Sequence, residues 1–161
     1  MPEPDPAILP AIPRADCSIC RAVDVVGDRW LLLVLREAFR GVRRFDAFQD
    51  ALGASRSVLA ARLARAVEIG VLRRVPYAEP GQRPRHEYRL TRKGVELLPA
   101  LLALMEWGDR HLRDADPPVQ ITAGDAREPV RMALVTASGR EVTDIRELRA
   151  EWTEQGSSGA E

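Results

Sequence analysis

Apolar positions along the chain recur at helical spacing in several short blocks separated by polar, turn-forming breaks. Asp16 is placed to cap a helix from Cys17 to about Val26, which Gly27 ends. Asp28 then caps RWLLLVLREAFR, which stops before Gly41. That segment is apolar almost all round, so it is expected to be the central buried helix. Arg43 and Arg44 follow in a connection where a short strand could start, and Asp46 is read as the cap of FDAFQDAL, with Phe45 and Phe48 facing inward. Ser55 is a good N-cap for SRSVLAARLARAVEIG. Stepping about 100° per residue, Leu59, Leu63 and Ala66 share one face, while Ser57, Ala60, Ala61 and Ala64 lie on the other. Gly70 closes this helix. Two strands, LRRVPY and RHEYRL, flank the loop AEPGQRP, and alternation places His86, Tyr88 and Leu90 on one face. Thr91 caps RKGVELLPALLALMEWGDRHL, a long helix with a kink expected near Pro99. Its leucines exceed what one stripe of a small domain needs, so the spare face is assigned to a second copy of the chain.

After Asp116-Pro-Pro the pattern changes. VQIT, VRMALVT and REVT read as short strands, with a Ser-Gly turn between the last two. TDIRELRAEW fits a helix through Ile145, Leu148 and Trp152, or a strand through Leu148, Ala150 and Trp152. The expected organisation is therefore a flexible arm (1–15), a main domain (16–113), a small β-rich appendage (117–153) and a disordered tail (154–161). The fold class is mainly α (α+β).

Composition adds a location and an electrostatic asymmetry. No apolar run approaches a membrane span, and MPEPDPAILPAIPRAD has no apolar signal core, so a cytoplasmic protein is expected. The 161 residues carry 24 basic and 24 acidic side chains, a net charge of +0. The charges are not evenly spread: residues 1–112 sum to +4 and residues 113–161 to −4. From Arg36 to Lys93 there are 14 basic against 6 acidic residues. A local patch, not the total, attracts phosphate.

Two helices, a tight turn between them and a basic hairpin follow the order of a winged helix-turn-helix, which puts one helix in the major groove and a hairpin on the adjacent backbone. A helical face of small residues lets the helix backbone approach base pairs closely; the plain alternative is that Ala is a strong helix former. Arg56, Ser57, Ala60, Ala61 and Arg65 are the expected base-reading residues. Arg43, Arg44, Arg92 and Lys93 are expected on phosphates, with Arg83 and Arg85 carrying the wing. Arg62 falls at the shoulder of the core face and is expected to brace the helix. The alternative function is a protein-interaction module built on the same fold. No Gly-rich phosphate loop, activated-nucleophile turn or ligand cluster points to an enzyme, and no cofactor is implied.

Cys17 and Cys20 form C-S-I-C, with three readings. They pack as small hydrophobes, they sense oxidants or electrophiles through a thiolate favoured at a helix N-terminus, or they bind zinc. Zinc lacks two further ligands at diagnostic spacing, since only His86 and His111 are available. His86 packs in the wing strand or touches phosphate, and His111 suits a helix C-terminus. Trp30, Met105 and Trp107 are the candidates to line a small-molecule effector site between dimer helices, or they are plain core.

The segments GDRW, RRFDAFQ, the Ser-x-x-Val-Leu-x-x-Arg-Leu start at Ser55 and RHEYRLTRKG, in this order, resemble the HxlR-type branch of the MarR-like winged-helix repressors. The resemblance runs from about Cys17 to His111. It implies a bacterial-type, DNA-binding transcriptional regulator, often a repressor, that binds double-stranded DNA as a homodimer through its N-terminal and long C-terminal helices. It also implies that a cysteine matching Cys17 is used for sensing in some members; on the sensing reading Cys20 is the candidate resolving thiol. The segment VQITAGDAREPVRMALVTASGREV resembles the β-appendage of some members. Their first turn commonly carries a Cys-Gly pair, whereas Ala126-Arg127 stands near that place here, with no cysteine.

Overall fold

Residues 8–9, 11–78 and 84–151 are described by the computed structural model. They group into two compact units, Ser18–Gln120 and a second made of the N-terminal segment through Cys17 with the chain from Ile121 on. Arg83, at the wing tip, Trp152 and the expected tail 154–161 lie outside the described residues.

The larger unit begins with α1 (Ser18–Val26). The amides of Asp16 and Cys17 both donate to the Pro13 carbonyl, at 2.9 and 3.0 Å, so a turn precedes α1 and Asp16 lies within that turn. α2 (Arg29–Phe39) follows, and the Asp28 carboxylate accepts from the Leu31 amide at 2.9 Å as expected of a cap. α2 is the central helix. Its buried Leu31, Val34, Leu35 and Ala38 meet Phe48 of α3 (Phe45–Leu52) and Leu59, Leu63 and Ala66 of α4 (Arg56–Glu68). Each fully buried Leu or Phe contributes about 1.5–3 kcal/mol relative to exposure.

Asp46 does not cap α3. The N-cap is Arg44, whose side chain makes no capping hydrogen bond, and Asp46 stands in the first turn. The reason is tertiary. Arg44 is held extended by a β-bridge to Glu87, and the Arg43 carbonyl accepts from the Tyr88 amide at 2.7 Å. The helix must therefore start immediately after Arg44. Gly53, at φ 59°, makes the left-handed turn into α4, whose cap Ser55 accepts from the Val58 amide at 3.4 Å.

The wing is an antiparallel hairpin, β1 (Leu72–Tyr77) and β2 (Arg85–Leu90), paired from Leu72↔Leu90 to Tyr77↔Arg85. The expected long helix after it is two helices, α5 (Arg92–Val95) and α6 (Leu98–His111). Thr91 caps α5, accepting from the Gly94 amide at 3.1 Å. Pro99 falls at the start of α6, where a missing N–H costs nothing, so it opens a helix instead of kinking one.

In the smaller unit the expected strands shrink to two-residue pairs, β3 (Thr122–Ala123) with β4 (Glu128–Pro129) and β5 (Leu134–Val135) with β6 (Glu141–Val142). The ambiguous stretch after Val142 is neither continuous helix nor strand; it makes one 3-10 turn, Ile145–Glu147, with Asp144 accepting from the Arg146 amide. Arg127 adopts φ 52° in the β3–β4 turn, near the place where the resembling appendages carry glycine. α3, α4 and the β1–β2 hairpin make the larger unit a winged helix-turn-helix, and the described residues are mainly α with short antiparallel pairs.

Candidate nucleic-acid interface

α4 is anchored by one face and bare on the other. Leu59, Leu63 and Ala66 are buried, whereas Arg56, Ser57, Ala60, Ala61 and Ala64 are exposed. Arg65 is half-buried and pairs with Glu68 at 2.9 Å. Arg62 braces the helix: its Nε lies 3.0 Å from the Asp28 carboxylate, which also caps α2. That approach lacks the alignment of a hydrogen bond, so it is an ion pair between two elements.

The structure sorts the remaining cations by what occupies their N–H groups. Arg43 donates to the carbonyls of Ala38 and Val42, at 2.5 and 2.9 Å, closing the end of α2. Lys93 donates to the Ile69 carbonyl at 2.8 Å, at the end of α4. Both serve helix ends. Arg92 is 95% exposed and makes a surface pair with Glu96, at 3.2 Å. Arg44 and Arg56 each lay a guanidinium over a ring. The Arg44 guanidinium carbon lies 4.6 Å from the centre of the Tyr77 ring, and that of Arg56 lies 5.0 Å from the Phe45 ring.

These stacked pairs border an open cleft of about 620 Å³ where the starts of α3 and α4 meet the wing. Arg44, Arg56, Arg74 and Arg85 line it, with Asp46 and His86. The rings of Phe45, Tyr77 and Tyr88 complete the wall. Arg85 reaches Asp46 at 3.8 Å, a loose exposed pair. Arg74, Tyr77 and the inclusion of Asp46 were not legible in the sequence. Arg74 faces Tyr88 across the hairpin, and only knowledge of that register brings it to the cleft.

Elsewhere the sequence hid a buried acid. Glu37 is fully buried in α2, and its carboxylate is held by Arg36 and by Arg40, the latter at 2.6 Å. Burying a charge is costly unless it is paired, and two guanidiniums supply the pairing. Cys17 and Cys20 are both free thiols and half-buried. Among the described residues, no group of three or more His, Cys, Asp or Glu is placed to hold a metal ion. Trp30 and Met105 are half-buried, and Trp107 is exposed with its ring 5.3 Å from that of His111. Among the described residues, no helix is long and apolar enough to cross a membrane.

Comparison with known proteins bears on the same region. The model of the HxlR-like helix-turn-helix family matches residues 25–116. An uncharacterised HTH-type transcriptional regulator of Mycobacterium tuberculosis is 45% identical over 130 residues, covering 78% of this chain and 80% of that protein. The crystal structure of PA1607, described as a transcription factor, superposes with a TM-score of 0.73 at 38% identity, covering 85% of this chain and 95% of that one. The redox regulator HypR in its oxidised form superposes with a TM-score of 0.54 at 28% identity, over 62% of this chain and 100% of its own. With its helix-turn-helix and wing inside the matched span, this chain belongs to the HxlR-like helix-turn-helix family of transcriptional regulators.

Proposed function

We propose that this transcriptional regulator is a repressor that reads a near-palindromic operator as a homodimer. The observation that carries the reading is the bare, small-residue face of α4, flanked by Arg56 and Arg65, beside a basic wing. Ser57, Ala60 and Ala61 admit close approach to base edges, and the flanking arginines supply the donors. Arg44, Arg85 and the exposed Arg92 carry backbone contacts. Arg43 and Lys93, spent on carbonyls, contribute charge more than contacts.

Dimerisation is assigned to α1 and α6. Ile19 and Val23 of α1 are each 57% exposed, and Leu104 and Trp107 of α6 are 58% and 55% exposed. Apolar side chains left uncovered on two helices are best buried by a second copy. A twofold dimer sets its half-sites about 34 Å apart, hence the near-palindrome. A regulator of this kind works in the cytoplasm. Half-buried Cys17, just ahead of α1, is the candidate sensing thiol, with Cys20 as its resolving partner. A small effector between the dimer helices, near Trp30, Met105 and Trp107, is the other route to regulation.

The test is enrichment of bound duplexes from a random pool, with and without a thiol oxidant. The expected result is a symmetric motif that is lost on oxidation only when Cys17 is present. Weak binding with no enriched sequence would mean that the fold serves as an interaction platform.

A further inference from the structure

We propose that Thr91, Lys93 and Gly94 form a clasp on the carboxyl end of α4 that determines which half-site spacing this regulator accepts. The proposal rests on the dimeric DNA-binding reading above. It replaces the phosphate contact expected of Lys93 with a positioning role toward the recognition helix.

A helix leaves its last carbonyls without intrahelical donors, so they are satisfied by other groups. α4 ends at Glu68, and its last turn is closed locally: the amides of Ile69, Gly70 and Val71 donate to the carbonyls of Arg65, Val67 and Ala66. Beyond them stand the carbonyls of Ile69, Gly70 and Val71. The head of α5, 20 to 24 residues further along the chain, meets all three. The Lys93 ammonium donates to the Ile69 carbonyl at 2.8 Å, at the negative end of the α4 dipole. The Thr91 hydroxyl donates to the Gly70 carbonyl at 2.6 Å, and the Thr91 amide to the Val71 carbonyl at 3.1 Å. Gly94 is buried against that same Val71 carbonyl, with no room for a Cβ. Lys93 thus stands at the opposite end of α4 from Arg56 and Ser57.

The clasp joins the recognition helix to the helix assigned to dimerisation. α5 runs into α6 through a hydrogen-bonded turn, in which the Leu97 amide donates to the Gly94 carbonyl and the Leu101 amide to the Leu97 carbonyl, both at 3.2 Å. Leu97 and Leu101 pack on the core, whereas Leu104 and Trp107 further along α6 are uncovered. The buried stripe of Leu59, Leu63 and Ala66 holds one side of α4, and the clasp fixes its end, so rocking about the stripe is suppressed. In a twofold dimer, the separation and angle of the two α4 helices follow from how each is seated on its own α5 and α6. One base pair added between half-sites moves one of them by about 3.4 Å and turns it by about 35°. A rigid seat rejects that change and a loosened one follows it.

The experiment uses the full chain and the duplex enriched from the random pool, together with duplexes carrying one base pair more or fewer between the half-sites. Affinity is measured by fluorescence anisotropy for wild type, T91V, T91S, K93M and T91V/K93M. Valine keeps the shape of Thr91 without its hydroxyl, serine keeps the hydroxyl, and methionine keeps an apolar stem without the ammonium. The penalty for the altered spacing is expected to be about tenfold in wild type, the scale of a mismatched base pair, and less than about threefold in T91V/K93M. T91S is expected to keep the wild-type penalty. K93M, at an exposed position that tolerates substitution, is expected to fall between the two and decides the matter if T91V unfolds the chain. Base preferences within each half-site are expected to stay unchanged. The slope of log K against log salt is also expected to hold in K93M, whereas a lost phosphate contact lowers it by about 0.9. An equal loss of affinity at every spacing, with the wild-type penalty kept, overturns the clasp and leaves DNA binding intact. A lowered salt slope in K93M overturns it too, by making Lys93 a phosphate contact. A wild-type protein that enriches no symmetric motif fails the dimeric reading itself, and the clasp's role with it.

Discussion

Gly94→Ala sets two physical effects against each other with opposite signs. Gly94 sits in α5, where alanine is intrinsically favoured over glycine by about 0.5–1 kcal/mol. Propensity alone therefore predicts stabilisation. The tertiary structure predicts the reverse. Gly94 is buried, and a Cβ there would lie well inside 3.0 Å of the Val71 carbonyl oxygen, 3.0 Å from the Val71 carbonyl carbon and 3.1 Å from Leu90 Cδ2. The obstacle is backbone at the α4–β1 junction, so no side-chain rotation relieves it. The same junction is held by the Thr91 hydroxyl, which donates to the Gly70 carbonyl at 2.6 Å and caps α5. Overpacking costs about 1–3 kcal/mol. Pushing α5 away also loosens a cap worth about 0.5–2 kcal/mol. At mid-range values, subtracting the propensity gain leaves a net loss of about 2–3 kcal/mol, a large share of a domain stability of about 5–15 kcal/mol. With an m-value of about 2 kcal/mol/M, the urea midpoint should fall by about 1–1.5 M. Gly53→Ala is the control. Nothing lies within 4 Å of its Cβ, and its φ is 59°, so only left-handed strain of about 1–2 kcal/mol applies. A Gly94→Ala protein as stable as wild type, or more so, would refute the argument that close backbone approach selects glycine there.

Three further outcomes are expected. Ala61→Glu, on the bare face of α4, should change stability by less than about 0.5 kcal/mol, because the site is exposed. It should still abolish duplex binding in an anisotropy assay; retained binding would remove α4 from the interface. Asp28→Ala should cost about 1–2 kcal/mol by losing both the α2 cap and the Arg62 pair, whereas Arg62→Ala should cost under about 1 kcal/mol. A thermal-denaturation double-mutant cycle should give a coupling below about 1 kcal/mol, and a larger value would mean that this half-exposed pair is stronger than surface ion pairs allow. In the smaller unit, hydrogen bonding from Arg131 holds the Glu141 carboxyl below its ordinary pKa. A depressed carboxyl contributes stability that is present above its unfolded pKa and is lost as pH falls through the folded one. Carboxyl NMR titration of Arg131→Ala should therefore move Glu141 up toward the usual carboxylate range, and an unmoved titration would show that the pair does not form in solution.

What the chain determined locally was its helices and their faces. The periodicity of Leu59, Leu63 and Ala66 fixed which side of α4 is buried, because a 3.6-residue repeat leaves only one apolar stripe. Ser55, Asp28 and Thr91 were readable as caps because a cap depends only on the next three residues. The bracing role of Arg62 followed from its place at the edge of that stripe. Asp46 failed as a cap because a distant strand, at Glu87, holds Arg44 extended and dictates where α3 begins. Pro99 began a helix instead of bending one because α5 already ends at Val95, leaving Pro99 in the first turn of α6. The arginine-lined cleft was invisible for the same reason. Arg56, Arg74 and Arg85 become neighbours only when the hairpin register and the packing of α3 are set, and no local pattern encodes which guanidinium lies on which ring. Local sequence sets what a residue's immediate turn requires; long-range packing sets which charges share a space, and here that second layer gathers arginines from two helices' starts and a hairpin around one cleft.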